Sequence, residues 1–185
     1  MAVFTTVERA TIRIAFEALG ELFRYPAEAF GERLAEALSV FTLQAAGSKE
    51  LEAFAEEIVV LDRAAQQAAY TATFDLAPSC APYLGVHLFG PESPERARLM
   101  TGLRESYRRG GVDADSIELP DHIAEVLSFA GRYADDEWGE LGHLVLRPAL
   151  VKMNAILAKT ANPYRHLVAS ALRLAEEAFP EGGAQ

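Results

Sequence analysis

Two clusters of residues in this 185-residue chain carry side chains that could do chemistry. The first is Glu118-Leu119-Pro120-Asp121-His122, which sets two carboxylates and an imidazole close together. Pro120 suits the first position of a helix, where the N–H it lacks would go unpaired anyway. Asp121 and His122 then fall in the first turn, with Glu118 just before it. From Asp113 to Glu137, eight carboxylates (Asp113, Asp115, Glu118, Asp121, Glu125, Asp135, Asp136, Glu137) stand against one cation, Arg132, so this segment carries seven of the net ten negative charges. A preorganised acidic helix start is suited to gripping something basic, such as an arginine-bearing peptide. The plainer reading stays open beside it, because acidic residues at helix N-termini complement the helix dipole whether or not anything binds. The second cluster is Tyr70-x-x-x-Phe74-Asp75-Leu76, followed by Tyr83, His87 and Phe89. Tyr70 and Phe74 lie one helical turn apart and can face a groove or the core equally well. In a groove, Tyr70 and Tyr83 would offer ring faces to a guanidinium and rigid apolar area to a peptide. Asp75 at a helix end opposes the dipole and asks for a partner, either an internal arginine or an external ligand.

Other chemistry is thinly supported. There is no GxxxxGK[ST] phosphate loop, no GxGxxG after a strand and no His-Glu-x-x-His. The four histidines, His87, His122, His143 and His166, are far apart in the sequence. Glu118, Asp121 and His122 would hold a metal ion only with a distant fourth ligand, so neither metal nor cofactor is expected. Cys80, between Ser79 and Ala81, is a nucleophile only if a base lies close in space. Glu118 with Asp121 has the makings of an acid–base pair. Nothing identifies a substrate pocket for them, and an enzyme is not expected.

Composition narrows the class further. The chain is long enough for one domain with a substantial core, and half its residues are hydrophobic against 24% charged. No window is apolar enough to cross a membrane. The stretch Met1 to Ile14 carries Glu8, Arg9 and Arg13 and lacks the order of a signal peptide. A single cysteine excludes an internal disulfide or a cysteine-built metal site. A cytoplasmic protein is therefore expected. A sequence pI near 4.9, with basic residues scattered apart from Arg108-Arg109, argues against nucleic acid as a partner.

The elements that must position these clusters are helical, since apolar residues recur at three and four and strand-like alternation is nearly absent. The pattern predicts a helix over 6–23, broken at Tyr25-Pro26. A second opens at Pro26 and ends near Gly47, and a long third, capped by Ser48, runs to about Phe74. Asp75 to Pro82 reads as a loop, with a short helix around Tyr83 to Phe89. Ser93-Pro94 marks the cap and first turn of the next helix, which Gly110-Gly111 stops. Pro120 starts another. A helix from Asp135-Asp136 towards Leu146 meets Pro148, which should kink or split it. Asn162-Pro163 opens the last helix, ending near Phe179, and 180–185 reads as a frayed tail. The expectation is one all-α domain, a multi-helix bundle, over 1–185.

Taken in order, these features resemble the assembly chaperones of molybdenum oxidoreductases, nearest to the nitrate reductase delta-subunit branch. They are also similar to the maturation chaperones of dimethyl sulfoxide and trimethylamine oxide reductases. The matching pieces are a leucine-rich first helix ending in Phe23-Arg24-Tyr25-Pro26, and then Tyr70-x-x-x-Phe74-Asp75-Leu76. The stretch Tyr83 to Gly90 follows, with Arg96 and Met100 in a helix reaching Tyr107 and Gly110. Glu118-Leu119-Pro120-Asp121-His122 and Asn162-Pro163-Tyr164 complete the set, which spans roughly residues 15 to 175. The resemblance implies an all-helical, cytoplasmic, non-catalytic maturation factor. Its partner would be the catalytic subunit of a molybdenum oxidoreductase, gripped by an N-terminal twin-arginine leader or its remnant and held open for molybdenum cofactor insertion. The cofactor delivery machinery is a further implied partner. Carried over by motif, Tyr70, Asp75, Glu118, Asp121 and His122 are the expected peptide-binding residues, with Tyr83 at the groove mouth.

Physical chemistry gives that expectation a mechanism. Twin arginines call for carboxylates in bidentate contact, and the apolar helix after them calls for a groove lined by aromatics such as Tyr70, Tyr83 and Phe129. Protonation of His122 would weaken the negative field, predicting weaker peptide binding near pH 5.5 than at pH 8. Two alternatives remain at this level. One is a scaffold protein whose Glu118 and Asp121 make internal caps and salt bridges. The other is a carrier of nucleotide or pterin, which would need Arg104, Arg108 and Arg109 to gather locally.

Overall fold

The computed structural model describes residues 5–41, 46–112 and 118–181. Asp113 and Asp115 of the acidic segment, and 182–185 of the tail, lie outside the described residues. Among those described there is no strand, only helices and one isolated bridge between Tyr83 and His122.

Helix α1 (Thr6–Leu22) begins in a capping box: the Thr5 hydroxyl accepts from the Glu8 N–H, and the Glu8 carboxylate accepts from the Thr5 N–H. Its buried stripe of Ile12, Ala15, Phe16, Leu19 and Leu22 is the heart of the core. Helices α2 (Phe30–Phe41), α3 (Ser48–Val59) and α4 (Arg63–Phe74) follow. Two expectations are corrected here. Pro26 does not open α2, because Pro26 to Ala29 form an irregular connection before Phe30. The long third helix is two helices, since the Asp62 side chain accepts from the Ala65 N–H and starts a new one.

The second half holds α5 (Leu84–Phe89), α6 (Pro94–Arg109) and α7 (Ile123–Ser128), then a 3-10 turn (Ala130–Arg132) and α8 (Asp135–Leu141). A π segment (Gly142–Leu146) joins α8 to α9 (Arg147–Leu157), and α10 (Tyr164–Ala178) closes the chain. Ser93 caps α6 through its hydroxyl, as the Ser-Pro pair predicts. The predicted break at Pro148 takes the form of that π segment, in which the Arg147 N–H bonds to the Gly142 carbonyl. A wider turn keeps the proline ring off the carbonyl four residues back.

Helix α1 packs against α7, α2 and α10, and α10 also covers α9 and α3. The α1–α7 crossing is close: a Cβ on Gly20 would stand 2.6 Å from the Ser128 backbone nitrogen. This contact carries α7, and the residues just before it, onto the end of α1.

Candidate functional site

Three chain segments converge where α1 ends. Phe23 is buried while Tyr25 turns outward, and the connection is held by arginines. Arg24 bonds to Glu125 at 2.6 Å and Glu21 at 3.0 Å. Arg33 reaches back from α2 to donate to the carbonyls of Glu21 and Tyr25. The second segment is the end of α4, tied to this connection by Gln67, which donates to the Pro26 carbonyl. Tyr70 stands edge-on to Tyr25 at 5.4 Å between ring centres, and also to Phe74 and the buried Tyr164. Helix α4 stops at Asp75, whose carboxylate accepts from the Leu76 N–H, and Leu76 and Ala77 take positive φ as the chain turns away.

The third segment runs from Glu118 to His122, and it differs most from expectation. Pro120 starts no helix. The chain instead pairs antiparallel with residues 82–84, the Leu84 N–H donating to the Asp121 carbonyl and the Ile123 N–H to the Pro82 carbonyl. The cap of α7 is His122, whose Nδ1 accepts from the Ala124 N–H at 3.1 Å. Its Nε2 lies 3.2 Å from a Glu118 oxygen, so Nε2 carries the proton and the ring is neutral. Burial pushes its pKa down to about 4, with Arg24 adding to the effect. This removes the basis for the expected difference between pH 5.5 and pH 8.

Asp121 is fully buried and makes a bidentate pair with Arg96, Oδ2 to Nε at 2.7 Å and Oδ1 to Nη2 at 3.1 Å. The same guanidinium lies over the Tyr83 ring, 5.3 Å from its centre. Asp121 is therefore a girder behind the cavity wall, with no exposed surface. Tyr107 secures the same stretch by donating its hydroxyl to the Pro120 carbonyl at 2.7 Å.

Between the three segments lies a cavity of about 630 Å³. Tyr70, Asp75, Tyr83, Glu118 and His122 line it, opposite Arg24, Tyr25 and Arg33. Of the six residues predicted from sequence, the structure thus gathers five and withdraws Asp121. Glu118 meets the concave surface while Asp121 makes the internal salt bridge, so the docking and scaffold readings each claim one of the pair. Phe129, a candidate for the apolar wall, packs instead against Tyr107 and Tyr133. Arg24, Tyr25 and Arg33 were absent from the predicted set; the helix break at Tyr25-Pro26 was the signal that could have found them.

The electrostatics of the cavity are negative on one side. Burial, then the neighbouring Glu125, raises the Glu118 carboxyl above its ordinary range. Burial pushes the Tyr70 hydroxyl up to about 12, helped by Glu118 and Asp75. Arg24 on the facing wall is engaged by two carboxylates, whereas the buried Nε of Arg33 has no hydrogen-bond partner.

Nucleophilic chemistry finds little support. Cys80 lies 3.9 Å from His87 Nε2, but burial pushes the thiol up to about 12. His87 Nε2 is 2.7 Å from the Ala81 carbonyl, so it holds the proton there and cannot accept one from the thiol. Glu140 and His143 stand at the Glu-x-x-His spacing of helical metal sites, a pair absent from the candidates above. Among the described residues, no group of three His, Cys, Asp or Glu side chains could hold a metal ion. No helix among them is long and apolar enough to cross a membrane.

The chain is similar to several known proteins. A nitrate reductase molybdenum cofactor assembly chaperone, NarJ of Escherichia coli, is 29% identical over 126 residues, covering 68% of this chain and 52% of that one. The probable chaperone of the same description, NarW of Escherichia coli, is 27% identical over 157 residues, covering 85% and 66%. The chain spans about half the length of the first of these relatives. A solved structure described as a candidate redox enzyme maturation protein from Archaeoglobus fulgidus superposes with a TM-score of 0.63 over 95% of this chain and 98% of that one. At 18% identity, this likeness establishes the all-α fold alone. The family model for the nitrate reductase delta subunit matches residues 18–169, so the chain belongs to that family.

Proposed function

We propose that this protein is a cytoplasmic, non-catalytic assembly chaperone for a molybdenum oxidoreductase, with nitrate reductase the nearest client. It binds the N-terminal, twin-arginine-type segment of the catalytic subunit in the cavity at the end of α1. In doing so it keeps the apoprotein competent for molybdenum cofactor insertion, and it meets the cofactor delivery machinery at that step. The observation that carries this reading is the meeting of Tyr70, Asp75, Tyr83, Glu118 and His122 around one open cavity. Glu118 and Asp75 offer carboxylate oxygens to a guanidinium. Asp75 uses one oxygen on the Leu76 N–H and is in no ion pair among the described residues. Tyr25, Tyr70 and Tyr83 supply ring faces and edges against which a guanidinium or an apolar side chain can lie. The membership of the chain in the delta subunit family supports the choice of client.

The test is loading of the client. The catalytic subunit is co-expressed with this chain or with its Tyr70→Ala/Glu118→Gln variant, and bound molybdenum cofactor is measured in the purified subunit. The proposal expects cofactor content to fall with the variant towards the level reached without the chain. Equal loading with wild type, variant and no chain at all would overturn it.

A further inference from the structure

A second groove lies between α6 and the α8–π segment, and it shares no residue with the cavity above. Its volume is about 310 Å³. Leu99, Leu103, Leu141 and Val145 line it with Leu144, which is 59% exposed. The π turn puts one residue more than an α turn into this stretch, which resets the side-chain register and brings Leu144 to the lip. On the rim, Arg109 is paired with Glu137 at 2.6 Å. Glu105 and Glu140, also on the groove, are exposed and in no ion pair among the described residues. Tyr133 completes the lining at 4% exposure, its buried hydroxyl beside that of Tyr107. The nearby Tyr107 hydroxyl spends its proton on Pro120.

We propose that this groove is a docking surface for a helix that is apolar on one face and flanked by lysine or arginine. The shape argues for a helix: Leu99 and Leu103 are one turn apart, and the α6 wall from Leu99 to Arg109 runs about 15 Å at 1.5 Å per residue. Exposed leucine beside an apolar floor favours the apolar face of such a helix. The unmatched carboxylates Glu105 and Glu140 choose the sign of its flanks. A helix with acidic flanks would bring like charge to the rim and be rejected.

Trp138 gives the groove its own reporter. It is the only tryptophan of the chain, and its ring stacks on Tyr133 with centres 5.3 Å apart. The probe is a labelled 18-residue amphipathic helix of leucine and lysine, with a leucine–glutamate counterpart. The lysine peptide should bind and change Trp138 emission. Leu144→Asp, or Glu105→Gln/Glu140→Gln, should each weaken binding about tenfold, as expected for lost apolar contact or two rim charges. The glutamate peptide should bind at least about tenfold more weakly. Glu32→Gln/Glu52→Gln, which removes equal charge from α2 and α3, should leave affinity unchanged. Binding that ignores the groove variants, or that falls equally with the charge control, would reduce the effect to general attraction to an acidic protein and overturn the proposal. So would the absence of binding. Self-association that Leu144→Asp abolishes would give the groove to a second copy of the chain and also overturn it.

Discussion

Replacing Asp121 by asparagine separates the framework of the cavity from its lining. The carboxylate is fully buried, its guanidinium partner is only 10% exposed, and the two make two direct bonds. Asparagine keeps the shape but leaves Arg96 charged in a buried place, with the Pro91 carbonyl as its one other acceptor. Removing one member of such a pair costs about 3–5 kcal/mol. For a domain of this size that lowers Tm by about 6–20 °C. Glu118→Gln changes a side chain that is 41% exposed and should cost less than about 1 kcal/mol. The assay is urea unfolding followed by far-ultraviolet circular dichroism, with peptide titration well below each variant's transition. Arg96→Met/Asp121→Leu should recover part of the loss, because it removes both charges and leaves neither stranded. An Asp121→Asn protein as stable as wild type that no longer binds peptide would refute the reasoning and place Asp121 in the ligand site.

Three other perturbations follow from the same packing. His122 has a folded pKa of about 4 against an ordinary 6.5, so its contribution to stability is complete above pH 6.5 and lost as pH falls towards 4. That contribution is about 2–4 kcal/mol; His122→Asn, which retains a capping acceptor, should flatten the stability profile in this window, and parallel profiles from urea unfolding would contradict it. Cys80 should react with a disulfide reagent only after unfolding, because it is 1% exposed and its thiol is held protonated to about pH 12; rapid labelling of the folded protein would show the loop after α4 to be open. Gly20→Ala should destabilise by about 1–3 kcal/mol, since the new methyl meets the backbone of Ser128 in α7, and an unchanged unfolding midpoint would mean that the α1–α7 crossing is looser than described.

Much of the helical framework was legible in the sequence, and the reasons are local. Ser93-Pro94 and Asn162-Pro163 mark helix starts that need no distant partner, and the apolar stripe of α1 repeats at helical spacing. The break at Asp62 was hidden because Ile58 and Leu61 continue the apolar rhythm up to it, with no glycine or proline to announce a stop. Pro120 misled for the opposite reason. Its local preference for a helix start is overridden by the pairing of Asp121 with Arg96, 25 residues earlier, and by the bridge to 82–84. Such long-range partners leave no trace in spacing. The site divides along the same line: Tyr70, Asp75, Tyr83, Glu118 and His122 belong to two compact motifs, whereas Arg24, Tyr25 and Arg33 join them only once α1 ends beside α4.

The central claim is that the cavity holds the client's N-terminal segment, and calorimetric titration tests it most directly. A synthetic peptide of that segment is titrated into the wild-type chain and into Glu118→Gln/Asp75→Asn, at low and at raised salt. Micromolar or tighter binding to the wild type is predicted. Loss of two direct carboxylate contacts to guanidinium should weaken it by about tenfold or more, and raised salt should weaken the wild type but little further the variant. A well-folded protein that binds no peptide, or binds it equally with both carboxylates removed, would contradict the account.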